Sequence, residues 1–255
     1  LIFILVTAFL NLAGIGLIGP VSAFLVQRYV PTAEDVAVMS GLLFTSYSFF
    51  QFLAVPALGV LSDRYGRRPV LLFCLLGSAV GYLLFGIGGA LWMLFAGRII
   101  DGITGGNISI AQAYMADVTD KKTRAKGMGL LGAAFGIGFM FGPAIGGYLS
   151  KWGFGAPALF AAGISLISTF ATALYLKETV DVNKAKLSPK TAMTFAEFKH
   201  LLKTTPISTL LLIFFLLSLG FSGMQGIFAL LVQAKFAWGP TQVGYIFALI
   251  GIIAI

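Results

Sequence analysis

Apolar stretches long enough to cross a membrane recur along the chain, and they limit its fold more than any other feature. About 20 residues of helix cross the roughly 30 Å hydrocarbon core of a bilayer, where the backbone must satisfy its own hydrogen bonds. Hydrophobic residues make up 58% of the chain and charged residues only 10%, whereas a typical soluble domain has about 25% charged residues. The sequence therefore predicts an all-α polytopic membrane protein and excludes a water-soluble domain.

The apolar stretches predict seven complete membrane spans and the start of an eighth. Their approximate bounds are 1–26, 36–61, 70–89, 90–116, 127–149, 156–176 and 207–232, and the eighth begins near residue 241. The first residue is not Met and the last residues lie inside an apolar stretch, so we expect the sequence to be truncated at both ends.

Lysine and arginine residues are concentrated in the loops that follow the even-numbered spans. Of the 17 in the chain, thirteen lie in those loops, three lie in the other loops, and Arg98 lies in span four. Short cytoplasmic loops of membrane proteins are enriched in these residues. The bias predicts that the even-numbered loops are cytoplasmic, and it explains the net charge of +8 without a nucleic-acid partner.

The longest connection, residues 177–205, predicts a boundary between a six-helix bundle at 1–176 and the beginning of a second bundle at 206–255. Within the connection, Thr194 and Glu197 have the spacing of a capping box, and the following apolar residues have helical spacing. This pattern predicts an amphipathic helix lying on the inner membrane surface. His200 lies in that helix and is expected to be a solvated surface residue.

Charge is also concentrated in one short connection between spans two and three, GVLSDRYGRRP at 59–69. Its charged and glycine residues are Gly59, Asp63, Arg64, Gly66, Arg67 and Arg68. Arginines alone could anchor a turn in the lipid headgroups. An acid beside arginines also suits a polar latch, in which Asp63 faces the N-terminus of another helix and Arg67 binds a carboxylate.

This connection resembles the loop signature of the major facilitator superfamily, G-x-L-x-D-R-x-G-R-R, which that family carries after its second span. The stretch GRIIDGITGG at 97–106 is similar to the arginine motif of the family's fourth span. The stretch GIGFMFGPAIGG at 136–147 is similar to the glycine–proline motif of its drug/proton antiporters. The whole chain resembles exporters of the tetracycline-resistance type. The resemblance implies the major facilitator fold, in which about 7.5 of twelve spans in two six-helix halves are present here.

The resemblance also implies a function for the charged connection. Asp63 and Arg67 would belong to a gating latch, with Asp117 at the end of span four as the partner of Arg67. We expect this pair to form in an outward-facing state and to separate when the two halves rock to the inward-facing state.

Glycines recur every four residues in span five, at Gly138, Gly142 and Gly146, beside Pro143. A stripe without side chains lets a neighbouring helix approach closely, and proline bends a helix. The stripe predicts one of two roles for span five. It either packs tightly against a neighbouring helix and does no more, or it is a hinge whose close packing blocks leakage across the membrane in an antiporter.

Span four carries polar residues on one predicted face. On a continuous helix with about 100° per residue, that face contains Arg98, Asp101, Gly105, Ser109 and Gln112, and Asn107 points away from it. Ionisable residues inside a membrane are costly and suggest a functional site. Arg98 and Asp101 form either a self-neutralising pair or a site in which Arg98 binds an anionic group or tunes the protonation of Asp101. The other polar residues expected to face the same cavity are Asn11, Gln51, Ser218, Ser222 and Gln225.

Three positions differ from the pattern of the tetracycline exporters. The chain has Asn11 and Gly81 where the family pattern has acids in spans one and three, and Ala254 where it has a histidine in span eight. Tetracycline is therefore not the expected substrate. Asp101 replaces a small residue of that pattern, which suggests that an acid has changed its position.

The sequence thus predicts a secondary active transporter that exports amphipathic small molecules or drugs in exchange for protons by alternating access. The alternatives are a solute importer or uniporter of the same family, and a transporter-like sensor or scaffold that moves nothing. No enzyme, cofactor or metal site is predicted, because no nucleophile constellation, phosphate-binding loop or Cys/His cluster is visible. The expected partners are a small-molecule substrate, the proton and membrane lipids. We expect a monomer in the plasma membrane, such as a bacterial inner membrane.

Overall fold

All regular structure in the described residues is helical. A computed structural model describes residues 2–181 and 205–253. In chain order its helices are α1 (Ile2–Val26), α2 (Ala33–Tyr65), α3 (Arg67–Ile87), α4 (Leu91–Ile103), α5 (Asn107–Val118), α6 (Arg124–Leu149), α7 (Ala156–Tyr175), α8 (Thr205–Phe236) and α9 (Pro240–Ile253), and a 3₁₀ turn at Ser150–Trp152 follows α6.

Six of these helices, α1, α2, α3, α6, α7 and α8, are long and apolar enough to cross a membrane. The predicted all-α membrane fold is therefore confirmed, and α9 covers the start of the eighth predicted span. Several helices extend a few residues beyond the predicted bounds because their polar ends reach past the apolar stretch. At the start of α2, for example, the Asp35 N–H donates to the Thr32 hydroxyl at 3.0 Å, which caps the helix.

The prediction of one continuous helix in span four is wrong. The stretch forms two helices, α4 and α5, which are separated by a turn at 104–106. Glycines at the turn let α2 approach closely, and a Cβ on Gly102 would lie 2.6 Å from the Tyr47 carbonyl oxygen. Gln51 Nε2 donates to the Gly105 carbonyl at 3.1 Å, so this backbone oxygen has a partner from α2. The polar face predicted for a continuous helix is consequently interrupted after Asp101.

Helices α1 and α6 pack with their backbones in contact. A Cβ on Gly138 would lie 2.8 Å from the Phe9 carbonyl oxygen, and a Cβ on Gly142 would lie 2.7 Å from the Ala13 carbonyl oxygen. Gly146 packs against the backbone of α1 in the same way. The glycine stripe therefore allows a close helix crossing, while its further role as a hinge stays a prediction.

The last two helices contact the first seven at the end of the molecule opposite the charged connection. Thr241 of α9 donates its hydroxyl hydrogen to the Gly147 carbonyl of α6 at 2.8 Å. The amides of Gln27 and Gln233, near the ends of α1 and α8, exchange two hydrogen bonds of 2.7 and 3.3 Å. These contacts close the space between the two groups of helices at that end.

The predicted division at 177–205 stays a prediction, because most of this connection is outside the described residues. The same applies to the amphipathic helix with Thr194, Glu197 and His200, and to Ala254.

The distribution of side chains suits a lipid environment. Large apolar side chains point outward, including Phe52, Phe170 and Leu217, which are 75%, 68% and 69% exposed. Charged Arg98 and Asp101 are buried instead. This arrangement buries polar groups among helices and leaves apolar groups for the hydrocarbon, as the membrane requires.

We expect Gly142→Ala to lower the thermal unfolding midpoint of the detergent-solubilised protein. The added methyl would meet backbone atoms of α1, which cannot move aside as a side chain can, and overpacking costs about 1–3 kcal/mol. Gly129→Ala is the matched control on α6, because a Cβ there meets no atom within 4 Å. Equal midpoints for the two variants would show that the close crossing contributes little.

Candidate functional site

A buried ion pair lies in the membrane-spanning part of the protein. Arg98 and Asp101 are one turn apart on α4, and Arg98 Nη1 lies 3.2 Å from Asp101 Oδ2. Their residue exposures are 8% and 2%. The guanidinium also lies over the Tyr47 ring of α2, 4.0 Å from its centroid, in a cation–π contact. Each charge thus has a partner in a region where a lone charge would be expensive.

Helices α3 and α4 cross closely beside this pair. A Cβ on Gly81 would lie 2.9 Å from the Cβ of Asp101 and 2.6 Å from the Gly97 carbonyl oxygen. Position 81 therefore has no room for a side chain, and Asp101 takes the space next to it. This geometry is consistent with the hypothesis that an acid has changed its position, which stays a prediction.

A mostly apolar cavity of about 60 Å³ lies between the two groups of helices and reaches Arg98. This volume is below the range of about 300–1,000 Å³ that is typical of small-molecule sites, so the cavity would have to widen to hold a drug-sized molecule. Aromatic rings from four helices form much of its wall, namely Phe44, Phe85, Phe139 and Phe247. Arg98 is the one charged residue among the described residues that line it, and Ser22 and Gln225 add uncharged polar groups.

The predicted cavity residues do not all meet at Arg98. Gln225 of α8 lines the cavity with it, whereas Ser222 is an exposed residue one turn earlier on that helix. Asn11 lines a second, smaller cavity together with Asn107. The prediction that Asn11 and Arg98 share one cavity therefore needs correction, because Asn11 packs beside α5 rather than α4.

The interruption of span four explains three further differences. Gln51 donates to the turn between α4 and α5 instead of pointing freely into a cavity. Ser109 donates its hydroxyl hydrogen to the Gly106 carbonyl at 2.9 Å, and Gln112 is exposed. Residues after the turn do not continue the face of Arg98, as a single helix would have required.

The charged connection forms a second polar centre, at the junction of α2 and α3. Arg67 uses all three nitrogens of its guanidinium. Nε binds Asp117 Oδ2 at 3.0 Å, Nη1 donates to the Ser62 hydroxyl at 2.6 Å, and Nη2 pairs with Asp63. The two carboxylates are brought together by one planar cation, whose fork can bind several acceptors at once.

The remaining residues of the connection have separate positions. Arg68 donates to the Ala173 carbonyl of α7, whereas Arg64 lies over the ring of its neighbour Tyr65, 5.4 Å from the centroid. A Cβ on Gly59 would meet no atom within 4 Å, so close packing does not explain this glycine. The Gly59 carbonyl accepts a hydrogen bond from Ser62 at 2.8 Å.

Glu178, just after α7, completes this centre and was not predicted. Its carboxylate accepts hydrogen bonds from the backbone N–H groups of Arg67 and Arg68, at 2.9 and 3.0 Å. It therefore places a negative charge at the positive N-terminus of α3. Gly66, at φ +107°, allows the turn into α3, and a side chain there would collide with this carboxylate. The only sequence signal was an acid directly after a predicted span.

Two further hydrogen bonds join the start of the long connection to the same centre. The Tyr114 hydroxyl donates to the Lys177 carbonyl at 3.0 Å, and the Thr179 hydroxyl donates to Asp117 Oδ2 at 3.1 Å. The centre thus links the α2–α3 turn, the end of α5 and the segment that follows α7.

The neighbouring turn between α5 and α6 is fixed by Asp120. Its carboxylate accepts hydrogen bonds from the Thr123 hydroxyl and backbone N–H, both at 2.8 Å, and from the Lys122 N–H at 3.0 Å. These bonds, the Thr123 hydroxyl first, favour the charged form and hold the pKa of Asp120 below its usual value.

In the described part of the chain, no group of three His, Cys, Asp or Glu side chains is placed to hold a metal ion.

Six spanning helices, with a buried ion pair beside a cavity, define an integral membrane protein of the helical-bundle class. The family model of the Major Facilitator Superfamily matches residues 4–255. The chain therefore belongs to the major facilitator superfamily.

Known proteins similar to the chain include bacterial resistance proteins and a human transporter. It is 35% identical to the tetracycline resistance protein of class C from Escherichia coli, over 99% of this chain and 64% of that protein. It is 29% identical to multidrug resistance protein 2 of Bacillus subtilis, over 100% of this chain and 63% of that protein. The crystal structure of the human organic anion transporter MFSD10 superposes with a TM-score of 0.77 at 25% identity, over 98% of this chain and 68% of that one. The chain spans less than two thirds of these two bacterial proteins.

We expect Arg67→Lys to lower the thermal unfolding midpoint, whereas Arg64→Lys leaves it unchanged. Both changes keep the charge, but lysine cannot reproduce the planar fork that binds Asp63, Ser62 and Asp117. Losing hydrogen bonds to charged groups costs about 1.5–3 kcal/mol each. Equal midpoints for the two variants, measured in detergent, would favour headgroup anchoring for both arginines.

Proposed function

We propose that this protein is a secondary active transporter that moves amphipathic small molecules across a membrane by alternating access and couples their movement to protons. The observation that carries the proposal is the buried Arg98–Asp101 pair beside a cavity between two groups of helices. A buried charge pair in a membrane is expensive and needs a functional reason. A cavity between two helical bundles is also where alternating access would expose a substrate to each side in turn.

In this proposal, Asp101 is the proton carrier and Arg98 is the residue that senses substrate. Arg98 borders the cavity, and Asp101 forms an ion pair with it without lining the cavity itself. A carboxylate in a low-dielectric region remains charged only while a cationic or hydrogen-bonding partner stabilises it. Any ligand that changes the distance between the two side chains would therefore change the proton occupancy of Asp101.

The direction of transport depends on the charge of the substrate. A dipolar or cationic molecule that needs the charged Asp101 competes with the proton, which produces exchange and favours export. The similarity of the chain to tetracycline and multidrug resistance proteins supports export. The apolar aromatic wall of the cavity suits amphipathic molecules in either case.

One observation favours a second candidate, proton-coupled transport of an amphipathic anion. Arg98 is the charged residue at the cavity wall, and a carboxylate, sulfonate or phosphate on a ligand could bind it. Asp101 would then lose its cation and take up a proton, so anion and proton would move together. A similar solved structure is that of an organic anion transporter. A solute importer of this kind was the alternative within the family.

We propose that the centre around Arg67 acts as a gating latch. Arg67 and Asp117 belong to the first seven helices and Glu178 directly follows them, so rigid rocking of the halves would leave their bonds intact. The latch would therefore brace the α2–α3 turn in the shape that the other half binds. Whether the Arg67–Asp117 pair separates between states stays a prediction. We further propose that this end is cytoplasmic, that the membrane is a bacterial inner membrane and that the protein acts as a monomer.

We expect Asp101→Asn to abolish proton-driven transport in proteoliposomes while substrate binding or downhill exchange stays measurable. Asparagine fills the same space but cannot bind a proton reversibly. Arg98→Ala should impair binding and transport together, because it removes the charged group at the cavity wall and leaves Asp101 unpaired. Asp120→Asn is the matched control, since it makes the same change in an exposed turn.

Transport by Asp101→Asn against a gradient at the native rate would reduce Asp101 to a structural counter-ion of Arg98. To distinguish the two candidates, substrate is added to the purified protein in weak buffer and the release or uptake of protons is measured. Proton release on binding supports exchange and export, whereas proton uptake supports joint transport of an anion and a proton.

A further inference from the structure

Asp101 has a second polar partner on the side away from the cavity. Ser78 of α3 lies beside the Asp101 carboxylate, one turn before Gly81, where a Cβ would lie 2.9 Å from the Cβ of Asp101. Asn107, the first residue of α5, donates from Nδ2 to the Ser78 hydroxyl oxygen at 3.2 Å. All three side chains are buried, with residue exposures of 1% for Ser78, 2% for Asp101 and 6% for Asn107.

The direction of these bonds is chemically consistent. A serine hydroxyl has one hydrogen to donate and can also accept. Because Asn107 supplies the hydrogen bond that Ser78 accepts, the Ser78 hydrogen is available for the Asp101 carboxylate. Each bond polarises the next in a chain of this kind, which strengthens the bond to the charged end.

The turn between α4 and α5 makes this chain possible. On a continuous helix, Asn107 would point away from the face that carries Arg98 and Asp101. The turn at 104–106 separates the two faces, and Asn107 reaches Ser78 at the start of the new helix. Asn107 Oδ1 is buried without a hydrogen-bond partner among the residues described. An amide kept at such a cost suggests a role beyond packing.

The other charged or titratable groups around Asp101 come from three helices. Arg98 of α4 supplies the positive charge, and the side chains of Tyr47 on α2 and Tyr82 on α3 lie near the carboxylate. Arg98 also contacts the Tyr47 ring. Ser78 is therefore placed to donate a hydrogen bond to Asp101, and it would stay in place when Arg98 turns toward a substrate.

We propose that Ser78, held by Asn107, is a positioning residue that sets the proton affinity of Asp101 whenever Arg98 is engaged by substrate. Ser78 stabilises the charged carboxylate and fixes its orientation, and Asn107 fixes the hydroxyl of Ser78. This inference rests on the proposed role of Asp101 as the proton carrier, and it holds for either direction of transport.

The test compares Ser78→Ala with Ser78→Thr, which keeps the hydroxyl, and with Asn107→Ala, which removes only the second bond. Ser168→Ala on α7 is the matched control, because Ser168 is equally buried and its hydroxyl has no partner among the described residues. Two readouts are used with the whole protein. One is the infrared carboxyl band that Asp101→Asn removes, titrated with pH. The other is the pH profile of transport in proteoliposomes.

We expect Ser78→Ala to move the pH midpoint of the carboxyl band upward by about one unit, since a hydrogen bond to a charged group is worth that order of shift. Asn107→Ala should move it in the same direction by a smaller amount. Ser78→Thr and Ser168→Ala should leave it at the wild-type value. The pH profile of transport should follow the band in each variant.

An unchanged midpoint in Ser78→Ala would overturn the inference, as would an equal shift in Ser168→Ala. These outcomes differ from failure of the proposed function. If the proposed function itself were wrong, the wild type would show no titrating carboxyl band that depends on Asp101, or no proton-coupled transport. Thermal midpoints of all variants identify any that fail to fold, and Asn107→Ala then provides the deciding titration because it leaves Ser78 in place.

Discussion

A charge inside a membrane needs a partner, and the Arg98–Asp101 pair is the constraint on which much of the first bundle depends. The two residues must be one turn apart on α4 to neutralise each other. Position 81 must then be glycine, because α3 crosses α4 directly beside Asp101. Tyr47 of α2 covers the guanidinium, and Ser78 approaches the carboxylate from the other side. Removing one partner would leave an uncompensated buried charge, which costs about 3–5 kcal/mol.

The second polar centre solves a different electrostatic problem. Arg67 and Arg68 lie in the first turn of α3, where the helix dipole disfavours positive charge. Glu178 offsets this by accepting both of their backbone N–H groups, while Asp63 and Asp117 neutralise the Arg67 side chain. Helix α3 thus begins at the proposed latch and carries Ser78 beside Asp101 further along. A shift of α3 would therefore reach both centres, which is a direct physical route between the proposed latch and Asp101.

Residues that act through local spacing could be predicted from the sequence, and residues that meet across long distances could not. Arg98 and Asp101 are three positions apart, so their pairing followed from helix geometry. The resemblance to a family supplied Asp117 as the partner of Arg67, 50 positions away, and the structure places the two in contact. Glu178 is 111 positions from Arg67 and lies in none of the motifs, and its only sequence signal, an acid directly after a predicted span, does not indicate that it caps α3. The turn in span four was missed because adjacent glycines in an apolar stretch are also compatible with a continuous membrane helix.

By itself, the sequence determined that the chain is a helical membrane protein, where most of its helices lie and which side chains are charged inside the hydrocarbon. These properties follow from hydropathy and helical spacing, which act over a few neighbouring residues. Only the tertiary structure decided that α4 ends before Asn107, that Asn11 and Arg98 border different cavities, and that Asp101 fills the space beside Gly81. The reason is steric: the place where two helices cross depends on the shapes of both, and neither helix carries that information alone.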